Sequence, residues 1–415
     1  MNFPLNQAFL DRISRQLGSE TPAYLAAMDS HYVRGIRYNT LRHPKREDRS
    51  GTDGNIPWAG PEAYYLKYES DAGTSVMHEA GVYYLQEPSA MLPAMVMHAV
   101  PGERILDLCA APGGKSTQIG CDLQGRGVLV CNEPVPKRAA VLSGNIERMG
   151  ITNAVVTCSY PEQLANRWEG WFDGVQADVP CSGEGMFRRH PEARNEWTPE
   201  MAEGCAGRQR EILLSAARMV KPGGRLIYST CTLNPAENEE NIAWFLRNRR
   251  DFSLAPFSLP EIDGRTGMFT CWPQRLRGEG QFVARLVRDG QHEISEEKTP
   301  RTEQFGKTRV CIAEYPDISG IRVLRLGLHL GENRGSLFIP DHAAVMAEET
   351  DEATRTEVTD EQALHYLAGE MIPGDIRGWT AVYWNGVPLG WGKGSDGMIK
   401  NHYPKGLRKQ RLTIG

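Results

Sequence analysis

At 415 residues the chain is long for one domain, and roughly two to four are expected. Hydrophobic content of 40% and charged content of 24% are ordinary for a globular protein, and the longest apolar stretch (residues 90–100) carries Pro93 and His98 and is too short to cross a bilayer, so no membrane partner is expected. Nine cysteines without a C-x-x-C pair and ten scattered histidines exclude a structural zinc site and a disulfide framework, and a net charge of −5 does not advertise nucleic-acid binding.

In chain order, Met1-Asn2-Phe3-Pro4 shows no basic region followed by an apolar core, so no secretory signal is read and a cytoplasmic location is expected. Leu5, Phe9, Ile13 and Leu17 fall on one face of a helix, with Gly18 as its stop. A basic run follows: Arg34, Arg37, Arg42, Lys45, Arg46 and Arg49 oppose only Glu47 and Asp48. Residues 1–77 are assigned to a separate N-terminal domain. From 78 to 289, strand-like runs at 104–109, 127–133, 154–158, 172–179, 225–231 and 281–287 alternate with helical runs at 135–149, 199–220 and 236–248. That alternation predicts a doubly wound, Rossmann-like α/β domain.

Residues 290–308 are polar and read as a linker, followed by a small subdomain (309–360) containing a strand at 321–326. A β-rich module (361–415) holds a hairpin from Trp379 to Trp391, turning at Asn385-Gly386. Charge is polarised here. Asp341, Glu348, Glu349, Asp351, Glu352, Glu357, Asp360 and Glu361 face only Arg355, whereas Lys393, Lys400, Lys405, Arg408, Lys409 and Arg411 face only Asp396. Two basic runs in an acidic total are expected to form a nucleic-acid face.

The chemistry concentrates at predicted strand ends. Cys109-Ala110-Ala111-Pro112-Gly113-Gly114-Lys115 closes one strand and opens a helix, where backbone amides attract negative charge. Gly113-Gly114-Lys115-Ser116 matches the tail of a phosphate loop, with Asp178 as a magnesium ligand, but Cys109 stands where that motif needs glycine. The alternative is a cradle for S-adenosylmethionine, with Glu133 at the end of the next strand on the ribose hydroxyls. Asp178-Val179-Pro180-Cys181 ends a further strand and Cys231 another. In an open parallel sheet such ends converge on one crevice, and a thiol pair beside a carboxylate and a lysine suits covalent catalysis on an electron-poor ring.

The runs Asp107 to Lys115, Asp178 to Gly185 and Tyr228 to Thr232 resemble the signature segments of the RNA 5-methylcytosine methyltransferases of the Nop/Sun family, and Arg138, Leu142, Asn145, Arg148 and Gly150 also match. Arg37-Tyr38-Asn39-Thr40 and Tyr84 to Ser89 are similar to its N-terminal segments. The tail from Gly392 to Arg408 is similar to the PUA-like end of RsmF-type small-subunit rRNA enzymes. The resemblance implies a class I S-adenosylmethionine-dependent methyltransferase fold, S-adenosylmethionine as donor and no metal. It assigns Cys231 as nucleophile toward cytosine carbon 6, and Cys181 to loss of the carbon-5 proton and enzyme release. Asp178 would bind the base edge, and Lys115 would orient Asp178 or favour a thiolate. Cys109 to Lys115, Glu133 and Asp178 would bind the donor. The family's acid after the third strand is missing from Thr157-Cys158-Ser159-Tyr160, and Ser159 or its backbone is the expected substitute.

The implied partner is RNA, foremost 16S rRNA or the small ribosomal subunit, with tRNA the nearest alternative target. Phe187-Arg188-Arg189-His190 is expected at the crevice entrance with phosphate ligands, and the terminal basic run offers His402 and Tyr403 for stacking. A monomer is the default. An ATP-driven or catalytically silent RNA-binding assembly factor is the rival of another class.

Overall fold

The computed structural model describes residues 4–294, 296, 298–350 and 353–414. Met1, Asn2 and Phe3, Asp351 and Glu352 of the acidic run, and Ser295 and Glu297 of the expected linker lie outside the described residues. No helix among the described residues is long and apolar enough to cross a membrane.

A nine-stranded sheet organises the chain. Its core runs Ala154–Thr157, Val128–Asn132, Arg104–Asp107, Phe172–Asp178, Val220–Thr230, all parallel neighbours, with Gln281–Arg288 antiparallel beyond. Side chains alternate between two cores, as period-2 strands buried on both faces require. Ile105 and Leu129 pack with Leu92, Ile119 and Leu142 on one face, while Leu106, Val128 and Val130 pack with Leu213, Ala216 and Phe245 on the other. The expected doubly wound fold is therefore present.

The N-terminal helix (Gln7–Leu17) buries Phe9 and Ile13 and ends at Gly18, whose φ of 54° suits glycine. The N-terminal sheet extends past the expected boundary at 77, because Tyr83–Leu85 pairs with Gly35–Tyr38. Ser75 caps a short helix in between, so the strand returns to the sheet already begun.

Three C-terminal expectations change. Arg301–Phe305, inside the expected linker, is a strand hairpinned to Thr308–Ile312; its polar residues mark a solvent-facing strand rather than a linker. Val323–Leu326 leaves the small subdomain and pairs antiparallel with Ala154–Thr157, covering the edge of the large sheet. Thr354–Val358 belongs with the final sheet, beyond the expected boundary at 360. It runs parallel to Gly378–Trp384, and such a pair needs a crossover, supplied by the helix Asp360–Ala368. The expected hairpin is present, with Asn385 at φ 52° and Gly386 at φ 82° in its turn.

The first basic run does not form an open face. Arg37 is buried and donates to Thr117 Oγ1 at 2.9 Å. Buried Arg42 donates to the Met346 carbonyl and lies 3.6 Å from Glu348. Lys45 pairs with Glu357 at 3.2 Å and Arg46 with Asp360 at 2.8 Å. The acidic run of the C-terminal region thus pairs with three of its six cations.

Candidate active site

The Arg104–Asp107 strand is where the order of the large sheet reverses, since its neighbours lead the chain in opposite directions. Ligands of open α/β sheets bind outside the strand carboxyl ends at such a point. The turn that follows is fixed from both sides. Ser116 Oγ donates to Asp107 Oδ2 at 2.6 Å, and burial pushes that carboxyl up to about 6. Arg138 Nη2 donates to the Ala111 carbonyl at 3.0 Å and Asn145 Nδ2 to the Pro112 carbonyl at 2.9 Å. Gly113, at φ 115°, lies so near Leu142 that a Cβ would sit 3.1 Å from its Cδ1. Arg138, Leu142 and Asn145, spaced along one helix, therefore act together to hold the turn.

A crevice of 980 Å³ opens here. Cys109, Ala111, Glu133, Asp178, Cys181 and Cys231 all line it, so the segments singled out in sequence converge. Ala110, Pro112, Gly113 and Gly114 shape the turn behind it. Glu133 accepts from the Val135 amide at 3.0 Å and pairs with Arg138 at 3.1 Å. The carboxylate is thereby fixed at the crevice wall, beside apolar Pro134 and Val135. Burial pushes the Cys109 thiol up, so it stays neutral.

Ser159 does not join this wall. Its amide donates to Asn132 Oδ1 at 3.1 Å and its carbonyl accepts from Asn132 Nδ2 at 3.0 Å, which turns the backbone inward against the neighbouring strand. Tyr160, 68% exposed, and Glu162 stand at the crevice instead.

Asp178 is held by three donors. Lys115 Nζ donates to Oδ2 at 2.8 Å, while Ser229 Oγ (2.6 Å) and Gln281 Nε2 (3.0 Å) donate to Oδ1. Register explains the set: Asp178 lies opposite Ser229, and Gln281 begins the strand that pairs with Ser229's own. Burial acts to lower the Lys115 ammonium, but Asp178 outweighs it and raises the pKa. The lysine is thus committed to a carboxylate, which leaves the phosphate-loop reading without its cation.

The two sulfurs lie 3.3 Å apart, and both cysteines are free thiols. The hydrogen bond with Cys231, then burial, pushes the Cys181 thiol well up. Buried Glu237 anchors the Cys181 loop: its carboxylate accepts from the Ser182 amide at 3.0 Å and from Gln209 Nε2 at 2.8 Å, and Gln209 also binds the Pro180 carbonyl. Gly185 must be glycine here, because a Cβ would meet the Gly280 carbonyl oxygen at 2.6 Å and that of Cys231 at 2.8 Å. Glu184 ties the same loop to Arg12 of the N-terminal helix at 2.6 Å.

Sequence reasoning missed Ser229, Gln281, Glu237 and Tyr160. Only Ser229 carried a signal, lying two residues before Cys231. Two basic expectations also change. Phe187 is buried and Arg188 is locked to Glu279 at 2.7 Å, which leaves Arg189 and His190 exposed. Tyr403 is buried, while Trp379 meets His402 edge-on with ring centroids 4.4 Å apart and Lys393 above it. Among the described residues one trio has metal-ligand spacing, Glu103, Asp173 and His292, but Arg225 and Lys221 already neutralise its acids.

The chain matches four family descriptions: the 16S rRNA methyltransferase RsmB/F over residues 94–287, the N-terminal domain of 16S rRNA methyltransferase RsmF over 5–88, the RsmF first C-terminal domain over 296–347 and the RsmF PUA domain over 353–409. It is 31% identical to the ribosomal RNA small subunit methyltransferase F of Shewanella oneidensis, covering 99% of this chain and 98% of that one. The corresponding protein of Aliivibrio salmonicida is 29% identical, with 98% of each chain covered. Among solved structures, a methyltransferase homolog protein from Pyrococcus horikoshii superposes with a TM-score of 0.60 at 27% identity, over 69% of this chain and 96% of that one. NSun6 from Pyrococcus horikoshii, solved with SFG, shares the fold with a TM-score of 0.60 at 20% identity, over 69% of this chain and 99% of that one.

Proposed function

Because the chain belongs to the RsmB/F family of 16S rRNA methyltransferases, we propose that it methylates carbon 5 of a cytosine in RNA, foremost 16S rRNA, through a covalent cysteine–cytosine adduct. The observation that carries this reading is the convergence of Cys231, Cys181 and the triply held Asp178 on one crevice. The donor S-adenosylmethionine supplies an electrophilic methyl group on a sulfonium.

The residues present fit that donor. The Cys109–Gly113 turn lets a backbone approach closely, the fixed Glu133 carboxylate suits two ribose hydroxyls, and Pro134, Val135 and Tyr160 offer a surface for a purine. Asp178 keeps its place through Lys115, Ser229 and Gln281, and would meet the amino edge of the cytosine without reorganising. Cys231 Sγ, as thiolate, adds to carbon 6. The ring electrons shift to carbon 5, which becomes nucleophilic enough to take the methyl group. Loss of the carbon-5 proton to a base then expels Cys231 from carbon 6 and restores the aromatic ring.

Cys181 stays protonated at neutral pH, because its pKa is raised. Two thiolates 3.3 Å apart would repel strongly, so the pair keeps at least one proton, and Cys181 can donate to the nucleophile's sulfur before addition and on release. Addition takes the base out of its stack, at a cost of about a few kcal/mol in paired RNA. The N-terminal and PUA-like parts of the chain would hold the flanking RNA.

The test is methyl transfer from labelled S-adenosylmethionine to fractionated RNA, with the modified positions mapped. Label as 5-methylcytosine in small-subunit rRNA is expected; label in tRNA would move the target, and no label would sink the reading. Cys231→Ala should abolish transfer without trapping RNA. Cys181→Ala should accumulate a denaturation-resistant protein–RNA adduct. Wild-type turnover by Cys231→Ala would show the roles to be wrong.

A further inference from the structure

A second cavity, of 730 Å³, lies between the N-terminal sheet and residues 273–278, away from the catalytic crevice. We propose that this groove is a subsite for unpaired nucleotides flanking the target base, with His31, Tyr32 and Tyr68 as its stacking platform. The proposal rests on the RNA-methyltransferase reading and adds where the strand runs beside the target.

Three rings meet here outside any core. Tyr68 is 54% exposed, with its centroid 4.7 Å from that of His31 and 6.1 Å from that of Tyr32. Arg34 holds the platform in place, donating to the Tyr68 and Ser70 carbonyls at 2.8 and 2.9 Å. Exposed aromatic rings on a fixed loop are a poor use of apolar area unless something stacks on them, and every base offers a π face.

The rim is cationic. Lys67, whose ammonium donates to the Ser50 carbonyl at 2.8 Å, flanks Tyr68. Arg275 and Arg277 are aligned by Glu20 and Asp53, yet their side chains stay 54% and 49% exposed, so each keeps donors for a phosphate. Rings interleaved with half-free guanidinium groups fit a single strand better than a duplex, whose bases are already stacked.

The groove is also coupled to the chemistry. Gly278 lines it, Gly280 packs its backbone on Gly185, and Gln281 holds Asp178. Three residues of chain span at most about 11 Å, so the groove wall at Gly278 and the residue that holds Asp178 lie on one short segment.

The experiment uses the full chain and a fluorescein-labelled single-stranded RNA of cytidine and adenosine, read by anisotropy, with 4-thiouridine placed stepwise beside the cytidine for photocrosslinking. Tyr68→Ala should weaken RNA binding about tenfold, Tyr68→Trp should restore it, and crosslinks should fall on residues 31–32 or 67–68. Thermal unfolding and calorimetry with S-adenosylmethionine confirm that the variant folds; if it does not, His31→Ala takes its place. Wild-type affinity in a folded variant, or crosslinks confined to other segments, would overturn the subsite while leaving the methyltransferase reading intact. Failure of the wild type to bind RNA or transfer methyl would remove the function itself.

Discussion

The two basic runs look alike in sequence and do opposite things in the molecule. Residues 31–49 carry six cations, of which Arg37 and Arg42 are buried while the exposed Lys45 and Arg46 pair with Glu357 and Asp360. Residues 393–411 also carry six, and none of them forms an ion pair with an acid among the described residues. Five of those six are exposed, Arg408 being partly buried. A cation run is a demand for anions, and whether carboxylates or phosphates meet it depends on what the fold brings near. The acidic run from 341 to 361 meets Arg42, Lys45 and Arg46 of the first run, so the second is the one we propose for RNA.

The largest effect tests how firmly that inward interface is built. Glu147, on the helix Pro136–Arg148, faces His342 and Arg325 from the C-terminal side. Burial alone would raise its carboxyl, but these two partners outweigh it and hold it down to about 2, from an ordinary 4.5. A depressed acid stabilises the fold above the unfolded value and loses that contribution as pH falls from about 4.5 toward 2. The contribution is on the order of 3 kcal/mol. Glu147→Gln should therefore be less stable at pH 7 and converge with the wild type near pH 2 in urea titrations; parallel curves at all pH values would refute the pairing.

Next in size is Arg42. Arg42→Ala removes a buried guanidinium from the Met346 carbonyl and from Glu348, which is itself 40% exposed, and should cost about 2–3 kcal/mol in unfolding. RNA affinity of the folded protein should stay within about twofold. A variant of full stability that binds RNA poorly would put the first run back on the RNA face. The opposite pattern is expected at Lys393 and Lys400. Alanine at both should leave unfolding unchanged, weaken RNA binding about tenfold and reduce the salt slope by about 2.

Much of the site was legible because its residues sit at strand ends, where local sequence reports position. Cys109, Glu133, Asp178 and Cys231 each follow an apolar run, and a parallel sheet must gather them. Gln281 was not legible, since its contact with Asp178 depends on an antiparallel neighbour recruited 103 residues away. The same holds for Val323–Leu326, whose alternation reads as a strand but does not say which sheet it joins. Ser159 failed for a local reason with a remote cause, the hold of Asn132 on its backbone. Tyr403 turns inward and Trp379 stands beside His402 instead, because aromatic spacing does not tell which ring faces in.

The smallest effect is also the finest test of the comparison. Lys45 and Arg46 pair with Glu357 and Asp360 across the interface, but their side chains are 63% and 66% exposed. Solvent screens such pairs, so each should contribute only about 0.5 kcal/mol. Lys45→Ala with Arg46→Ala should lower stability slightly at low salt, and the difference should vanish by about 1 M, where the Debye length falls to ~3 Å. RNA binding should not weaken, because these cations are already answered by acids. If it weakened as much as with Lys393 and Lys400 replaced, the carboxylates would be yielding to phosphates on binding, and the two runs would form one surface rather than two.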